Sequence, residues 1–409
     1  MYRILHTADW HLGQTFKSKS RIEEHQLFID WLLQTMENEN IDAVLIAGDI
    51  FDVFNPSIEA LDVYHHFLAE AFRLGIQVIV TGGNHDSAAR LNSTSGLLQW
   101  LNVQVVGGDA QALGRVIPLK NKEHTTVAAV VAVPYLRDGD VRALGMGEGV
   151  LEAHQLFTQS VQQHYQQLLL QAQTQYPNVP ILGMAHLYIT GSSTSDAQSS
   201  TPMHQVGTLT TIAANCFSSD FAYLALGHIH KPQILQHPAG TVLKYAGSPI
   251  PLSFSERTDA KEVTIIHIES DNAVQHTAIS VPLSRPLVRF KGSHSEILHA
   301  MESFDNNTPL PAWVEIIVTE PTDFVAFNTH ISNLAKEKNL EILERTIQIN
   351  TTNQPTIREA FIADYDNNPL NDVTAIFKLR CQKNGLNEAA IDQLLPLFEE
   401  TLQRLKTTF

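Results

Sequence analysis

Gly82-Gly83-Asn84-His85-Asp86 directly follows the apolar run Gln77-Val78-Ile79-Val80-Thr81. A buried strand therefore hands metal-competent side chains to its carboxyl end. Open α/β sheets keep their ligand crevices there, and glycines at such a turn let the backbone approach a metal or a phosphate closely. The same arrangement recurs along the chain. Leu5-His6-Thr7-Ala8-Asp9-Trp10-His11 closes an earlier strand and Val44-Leu45-Ile46-Ala47-Gly48-Asp49 closes the next. Ile181-Leu182-Gly183-Met184-Ala185-His186 and Tyr223-Leu224-Ala225-Leu226-Gly227-His228-Ile229-His230 end in the same way. Five strand ends converge on one site in this reading.

Between these strands the apolar residues recur at helical spacing. Ile22, Phe28, Ile29, Trp31, Leu32, Leu33 and Met36 form one stripe, and further helices are expected near Ser57–Leu74 and Ser95–Leu101. Strands near Val103–Val106, Val116–Leu119 and Thr126–Val133 precede a Gln-rich helix from about Val150 to Gln175. The fold class is α/β, with mixed sheets flanked by helices. Ile189–Gly207 reads as a long polar loop, and strands near Val242–Ala246, Glu262–Ile268 and Thr277–Val281 complete a first domain, residues 1–283. Alternating strands and helices then define a small α+β module over 284–349. Residues 350–409 comprise a linker and two amphipathic helices parted by Asn384-Gly385. The last helix carries Ile391, Leu394, Leu395, Phe398, Leu402 and Leu405 on one face, a stripe that must bury itself on its own domain or on a partner.

With 409 residues the chain has room for two to four domains. Its two cysteines, Cys216 and Cys381, are far apart, and no apolar run is long enough to span a bilayer. A cytoplasmic, disulfide-free protein is expected. The formal charge of -16 argues against indiscriminate coating of nucleic acid, but it leaves the character of any single cleft open. Locally, Lys17, Lys19 and Arg21 sit in a polar loop just after the first strand, where they could grip phosphates or simply face water.

Imidazole, carboxylate and amide oxygens together suit hard or borderline divalent ions, with no thiolate to select a soft one. Asp9, His11, Asp49, Asn84, His186, His228 and His230 are seven such donors. Seven exceed the need of one open catalytic ion and match two ions that share a bridging carboxylate. Asp49, the acid of the central strand-end motif, is the expected bridge. Asp52 reads as a cap on the following turn, outside the coordination sphere. No Gly-x-x-x-x-Gly-Lys-[Ser/Thr] loop occurs, so any dependence on ATP would require a second polypeptide.

Asp9-x-His11, Gly48-Asp49-x-x-Asp52, Gly83-Asn84-His85-Asp86, His186 and Gly227-His228-Ile229-His230 resemble the signature of the calcineurin-like metallophosphoesterases. With Gly247-Ser248-Pro249-Ile250-Pro251 added, they resemble the nuclease subunits of DNA break-repair complexes within that superfamily. The resemblance implies a metallophosphoesterase sandwich with a capping module that binds DNA. It also implies DNA exonuclease and endonuclease activity in repair, recombination and replication. Two divalent ions, Mn²⁺ in preference to Mg²⁺, are implied as well. It assigns Asp9, His11, Asp49 and His230 to one ion and Asp49, Asn84, His186 and His228 to the other. His85 becomes the group that stabilises or protonates the phosphate, and Asp86 the group that orients its ring. The partners implied are DNA, an ATPase subunit docked on the C-terminal stripe, and a second copy of the chain within a heterotetramer associated with the nucleoid. One departure is visible: relatives often carry a second histidine where this chain has Asp52. A small-molecule phosphodiesterase or a protein phosphatase would use the same metal ligands and is the alternative.

Overall fold

In the computed structural model the described residues are 1–108, 113–137, 139–140, 153–193, 211–320 and 324–348, followed by Phe377, Lys378, Cys381, Glu388, Ile391, Leu394, Leu395 and Phe398. The chain divides into two compact units, Met1–Gln348 and Ile349–Phe409.

The first unit is built on two six-stranded sheets. The first contains β1 (Tyr2–Thr7), β4 (Ala43–Ala47), β5 (Gln77–Thr81) and β6 (Val103–Val106) in parallel, extended past β1 by antiparallel β13 (Glu262–Ile268) and β14 (Val274–Ser280). The second contains β8 (Thr126–Ala132), β9 (Ile181–His186), β10 (Tyr223–Gly227) and β12 (Val242–Tyr245) in parallel. Antiparallel β7 (Arg115–Lys120) and β11 (Gln233–Gln236) form its edges. Side chains alternate between faces along each strand. Ile4, Leu45 and Ile79 therefore turn inward to meet Val130, Leu182, Met184 and Ala225 between the sheets. Leu5, Val44, Ile46, Val78 and Val80 turn the other way, onto the helices. Strands covered on both faces read as continuous apolar runs, and β4 and β5 are buried at every position.

The expected helical stripes are the buried ones. Helix α1 (Ile22–Asn38) buries Phe28, Ile29, Leu32 and Met36. Helix α2 (Ile58–Arg73), whose N-cap Ser57 Oγ accepts from the Ala60 amide at 3.3 Å, buries Val63, Tyr64, Phe67 and Leu68. Both cover the outer face of the first sheet. The Gln-rich helix Ala153–Gln175 covers the second with Val161, Tyr165, Leu168, Leu169 and Ala172. The order of layers is helices, sheet, sheet, helices.

A hairpin, a short strand and the helix Ala88–Ser93 go beyond what the sequence pattern predicts. The polar loop after the first strand contains a hairpin, β2 (Thr15–Phe16) with β3 (Lys19–Ser20), turned by Lys17 and Ser18 at φ 49° and 65°. Two consecutive left-handed residues are what a tight two-residue hairpin turn requires. The short strand is β11, with too few residues between Pro232 and Pro238 to show a pattern of its own. The expected helix near Ser95–Leu101 is a short α-turn, Ser95–Leu98, continued by a 3₁₀ turn, Gln99–Leu101. Most of the Ile189–Gly207 loop lies outside the described residues.

A three-stranded parallel sheet, β15 (Leu287–Gly292), β16 (Ala312–Val318) and β17 (Leu340–Ile347), packs with helices His294–Glu302 and Phe324–Glu337 around Phe290, Ile297, Val314, Ile316, Phe327 and Ile331. Ser293 and Glu296 form a capping box at the first of these helices. Trp313 docks this module on the larger body. Its ring packs with Phe254 and Leu287 and lies under two guanidiniums, Arg285 at 4.4 Å and Arg21 at 5.3 Å. Glu24 joins the two arginines, 2.5 Å from Arg21 Nη2 and 3.1 Å from Arg285 Nε.

In the second unit the rings of Phe377 and Phe398 stack at 4.1 Å, Ile391 is buried and Leu394 is 40 % exposed. Part of the apolar stripe is thus consumed inside the unit, and Leu402 and Leu405 lie outside the described residues. No helix among the described residues is long and apolar enough to cross a membrane.

Removing a buried tryptophan costs about 3–5 kcal/mol. Trp313→Ala is expected to lower the unfolding free energy by that amount in urea titrations. A loss below about 1 kcal/mol would show that the module is not packed on Trp313.

Candidate metal centre

All five expected strand ends meet at the same edge of the two sheets. The chain segment after β1 runs beside the segment after β4: the amides of Asp9, His11 and Leu12 donate to the carbonyls of Gly48, Asp49 and Ile50 at 2.9–3.0 Å. Asp9, His11, Asp49 and His228 all adopt left-handed backbone, with φ of 52°, 48°, 52° and 95°. Non-glycine residues take that conformation rarely and at a cost of roughly 1–3 kcal/mol each, which concentrates at functional sites. Glycine is needed where the chains nearly touch. A Cβ on Gly83 would overlap the Asp49 carboxylate, and one on Gly227 would overlap the Ala47 carbonyl oxygen.

Three clusters result among the described residues, the two that hold the expected donors, Asp9–His11–His230 and Asp49–His186–His228, and His11–Asp52–His85, each with donor atoms within 4.8 Å of one another. Asp49 lies between the first two, its Oδ2 3.6 Å from His11 Nε2 and 3.3 Å from His186 Nε2. Asn84 Oδ1 joins the second cluster, 3.0 Å from both His186 Nε2 and His228 Nδ1. All seven donors expected from the sequence are therefore brought together, in two groups that share Asp49.

Outer contacts fix how these donors point. His186 Nδ1 lies 2.8 Å from the Ala47 carbonyl oxygen, which can only accept, so that nitrogen carries hydrogen and Nε2 faces the cluster. His230 Nδ1 is 3.2 Å from Glu256 Oε1 and His11 Nδ1 is 3.2 Å from Asp52 Oδ1. Glu256 is buried and also accepts from Lys261 Nζ at 2.7 Å and the Leu252 amide at 3.1 Å. Burial alone would raise its carboxyl, but the Lys261 ammonium and the His230 ring hold it well below the ordinary carboxylate range. Burial likewise opposes ionisation of Asp52, and the hydrogen bond and charge of His11 bring it below its usual value.

The donors fit divalent metal ions. Asp9 Oδ2 and His11 Nε2 are buried without a hydrogen-bond partner. Burial lowers the basicity of His186, yet Asp49 and then Asp9 lift it to about 9, so the cluster draws positive charge inward. Neutral imidazole and carboxylate are the ligands that such charge density calls for.

Three expectations change. Asp52 is more than a cap: its side chain orients His11, and its main-chain oxygen lies 2.7 Å from His85 Nδ1. That carbonyl, rather than Asp86, is the group seen to orient the His85 ring. The Asp86 carboxylate instead accepts from the amides of Gly83, Ile50 and Phe51 at 2.8, 3.1 and 3.0 Å, bracing the loop. Burial and then the neighbouring Asp49 push the Asp86 carboxyl up to about 6. Arg21 is fully buried, bonded to Glu24 and, at 2.6 Å, to the Pro251 carbonyl, and so is not a surface group for phosphate. Lys17 and Lys19 remain partly exposed, but each pairs with a carboxylate of β17, Glu344 at 2.8 Å and Glu341. Glu256, in contact with His230, is the candidate site residue that the sequence pattern misses. Its only signal there is an acid just after the otherwise apolar and hydroxyl-bearing stretch from Pro249 to Ser255.

Residues 2–232 match the calcineurin-like phosphoesterase family, and residues 284–384 match a family described as the type 5 capsule protein repressor C-terminal domain. Over 412 residues the chain is 32% identical to the SbcD component of nuclease SbcCD from Escherichia coli strain K12, covering 98% of each chain. It is 35% identical over 295 residues to the SbcD component of the same nuclease from Rhodobacter capsulatus, 70% of each chain. With the SbcD component from Bacillus subtilis the identity is 30% over 315 residues, 77% of this chain and 78% of that one.

Replacing the shared carboxylate should empty both clusters: Asp49→Asn is expected to fold and to retain almost none of the roughly two ions per chain in elemental analysis. Occupancy near the wild-type level would show that Asp49 does not bridge. Outer-sphere carboxylates typically contribute about 10–100-fold to metal affinity. Glu256→Gln should accordingly weaken the tighter of the Mn²⁺ binding steps in calorimetry by about that factor, and an unchanged isotherm would assign Glu256 to packing alone.

Proposed function

The chain belongs to the calcineurin-like phosphoesterases, within the family of SbcD nucleases, and on that premise we propose that it is a manganese-dependent DNA nuclease. In this reading it cleaves double-stranded ends as an exonuclease, and single strands and hairpins as an endonuclease. The observation that carries the proposal is Asp49 Oδ2, set between His11 Nε2 at 3.6 Å and His186 Nε2 at 3.3 Å. A two-ion hydrolase of phosphodiesters needs one carboxylate placed in that way.

Bound divalent ions supply a polarised phosphodiester and a water acidic enough to attack in line near neutral pH. The chain's own task is to position and to move a proton. His85 Nδ1 donates to the Asp52 carbonyl, which leaves Nε2 as the nitrogen whose proton can be exchanged with the leaving oxygen. The His85 ring stands edge-on to His11 with centroids 4.8 Å apart, which keeps it beside the first cluster. Its backbone amide donates to Asp49 Oδ1 at 2.8 Å, so the acid and the shared ligand are positioned together.

The proposal extends to an SbcC-type ATPase as partner, bound through the second unit, where Leu394 of the apolar stripe is 40 % exposed. A homodimer inside a heterotetramer on the nucleoid completes it. Support for the partner comes from the names of relatives that match along nearly the whole chain. Digestion of linear, hairpin and circular single-stranded DNA with Mn²⁺, Mg²⁺ or EDTA tests the activity, alongside a small phosphodiester dye. Metal-dependent cleavage of DNA is expected. Turnover of the dye alone would favour a small-molecule phosphodiesterase or a phosphatase.

Positioned proton transfer contributes ~10²–10⁴-fold to rate. His85→Ala should therefore retain its metal in elemental analysis while kcat on DNA falls by about that factor. Loss of metal together with activity would make His85 a ligand.

A further inference from the structure

The segment that follows Asp52 differs from everything before it. The amides of Ile50 and Phe51 are held by Asp86, and the carbonyl of Asp52 by His85, but Val53 is 44% and Phe54 50% exposed. Two residues span at most about 7 Å, and Asp52 touches His11 and His85, so Phe54 is tethered close to the first cluster. Two cations flank it. The Arg137 guanidinium lies 6.0 Å from the Phe54 ring centroid, and Arg90 Nη2 donates to Asn55 Oδ1 at 2.6 Å. Neither guanidinium is in an ion pair among the described residues. The nearby Asp140 carboxylate is engaged by the main-chain amide of Arg137 at 3.0 Å rather than by its side chain.

An exposed aromatic face costs solvation and adds nothing to this core, because the ring is not part of any buried cluster. Beside two guanidiniums it forms the combination that single-stranded nucleic acids use: a flat ring for a base and positive charge for the phosphates on either side. We propose that Phe54 is a stacking platform for the nucleobase adjoining the scissile phosphate, with Arg137 and Arg90 holding the flanking phosphates. The occupant is a splayed or single-stranded nucleotide, since a base inside a duplex stack presents no free face. The inference rests on the DNA-nuclease reading and adds to it a preference for unpaired nucleotides. The chemistry fits neither a phosphoserine or phosphothreonine peptide, which lacks the ring, nor a bare apolar partner, which would not need the guanidiniums.

Fluorescence anisotropy with a labelled single-stranded oligonucleotide in EDTA, compared with an oligonucleotide of the same length made of abasic residues, separates base from phosphate. Stacking on one ring is worth about 5- to 150-fold in affinity. The wild-type chain should prefer the base-bearing strand by a factor in that range, Phe54→Ala should lose the preference, and Phe54→Trp should keep it and show quenched indole emission on binding. Arg137→Gln should weaken both strands alike and reduce the slope of log Kd against log salt by about 0.7. A Phe54→Ala chain that retains the wild-type preference for bases overturns the platform. A wild-type chain that neither binds nor digests single-stranded DNA overturns the nuclease reading itself, a different result from the first.

Discussion

The hydrogen bond from His186 Nδ1 to the Ala47 carbonyl, 2.8 Å long, joins the end of β9 in one sheet to the end of β4 in the other. The metal centre depends on that junction. It sets the tautomer of His186, brings the second cluster against Asp49, and requires Gly227 at the end of β10, where a side chain would collide with the same carbonyl. The junction holds because the two sheets are clamped behind it by a continuous layer of Ile4, Leu45, Ile79, Leu182, Met184 and Ala225. A close-packed interior transmits position from one sheet to the other without slack.

The same clamp allows the backbone to be strained where the ligands sit. Asp9, His11 and Asp49 are held left-handed by hydrogen bonds between two parallel segments, and His228 by its amide, which donates to Asp9 Oδ1 at 2.8 Å. These are local conflicts with residue preference that only an over-determined surrounding can sustain. Their outcome is that several ligands leave their strands pointing toward one spot. Behind them stand Glu256, Asp52 and the Ala47 carbonyl, one for each of three imidazoles, so that ring orientation does not wait for the ion.

Charge is distributed with similar economy. Of the three cations that could have gripped phosphate, Arg21 lies in the buried junction with Glu24 and Trp313, while Lys17 and Lys19 bind the edge strand of the three-stranded module. The hairpin that bears them is thus an internal strut. Arg90, shortly after Asp86 in sequence, and Arg137 instead contact Asn55 and Phe54, and neither pairs with a carboxylate among the described residues. A chain of net charge -16 can still offer a locally basic rim.

By itself the sequence determined the α/β class, the five strand ends and the seven candidate metal donors that the fold brings together, because strand periodicity and strand-end polarity are local properties of a chain. It could also rank Asp49 as the shared ligand from its central motif. What only the tertiary structure decided were relations between segments distant in sequence. The assignment of Asp52 to His11 and His85, the bracing role of Asp86 and the contact of Glu256 with His230 all depend on packing that no window of residues reports. Arg21 makes the reason plain: in sequence it is one charge in a polar loop, and only the burial of Trp313 and Glu24 against it turns a surface cation into part of the core.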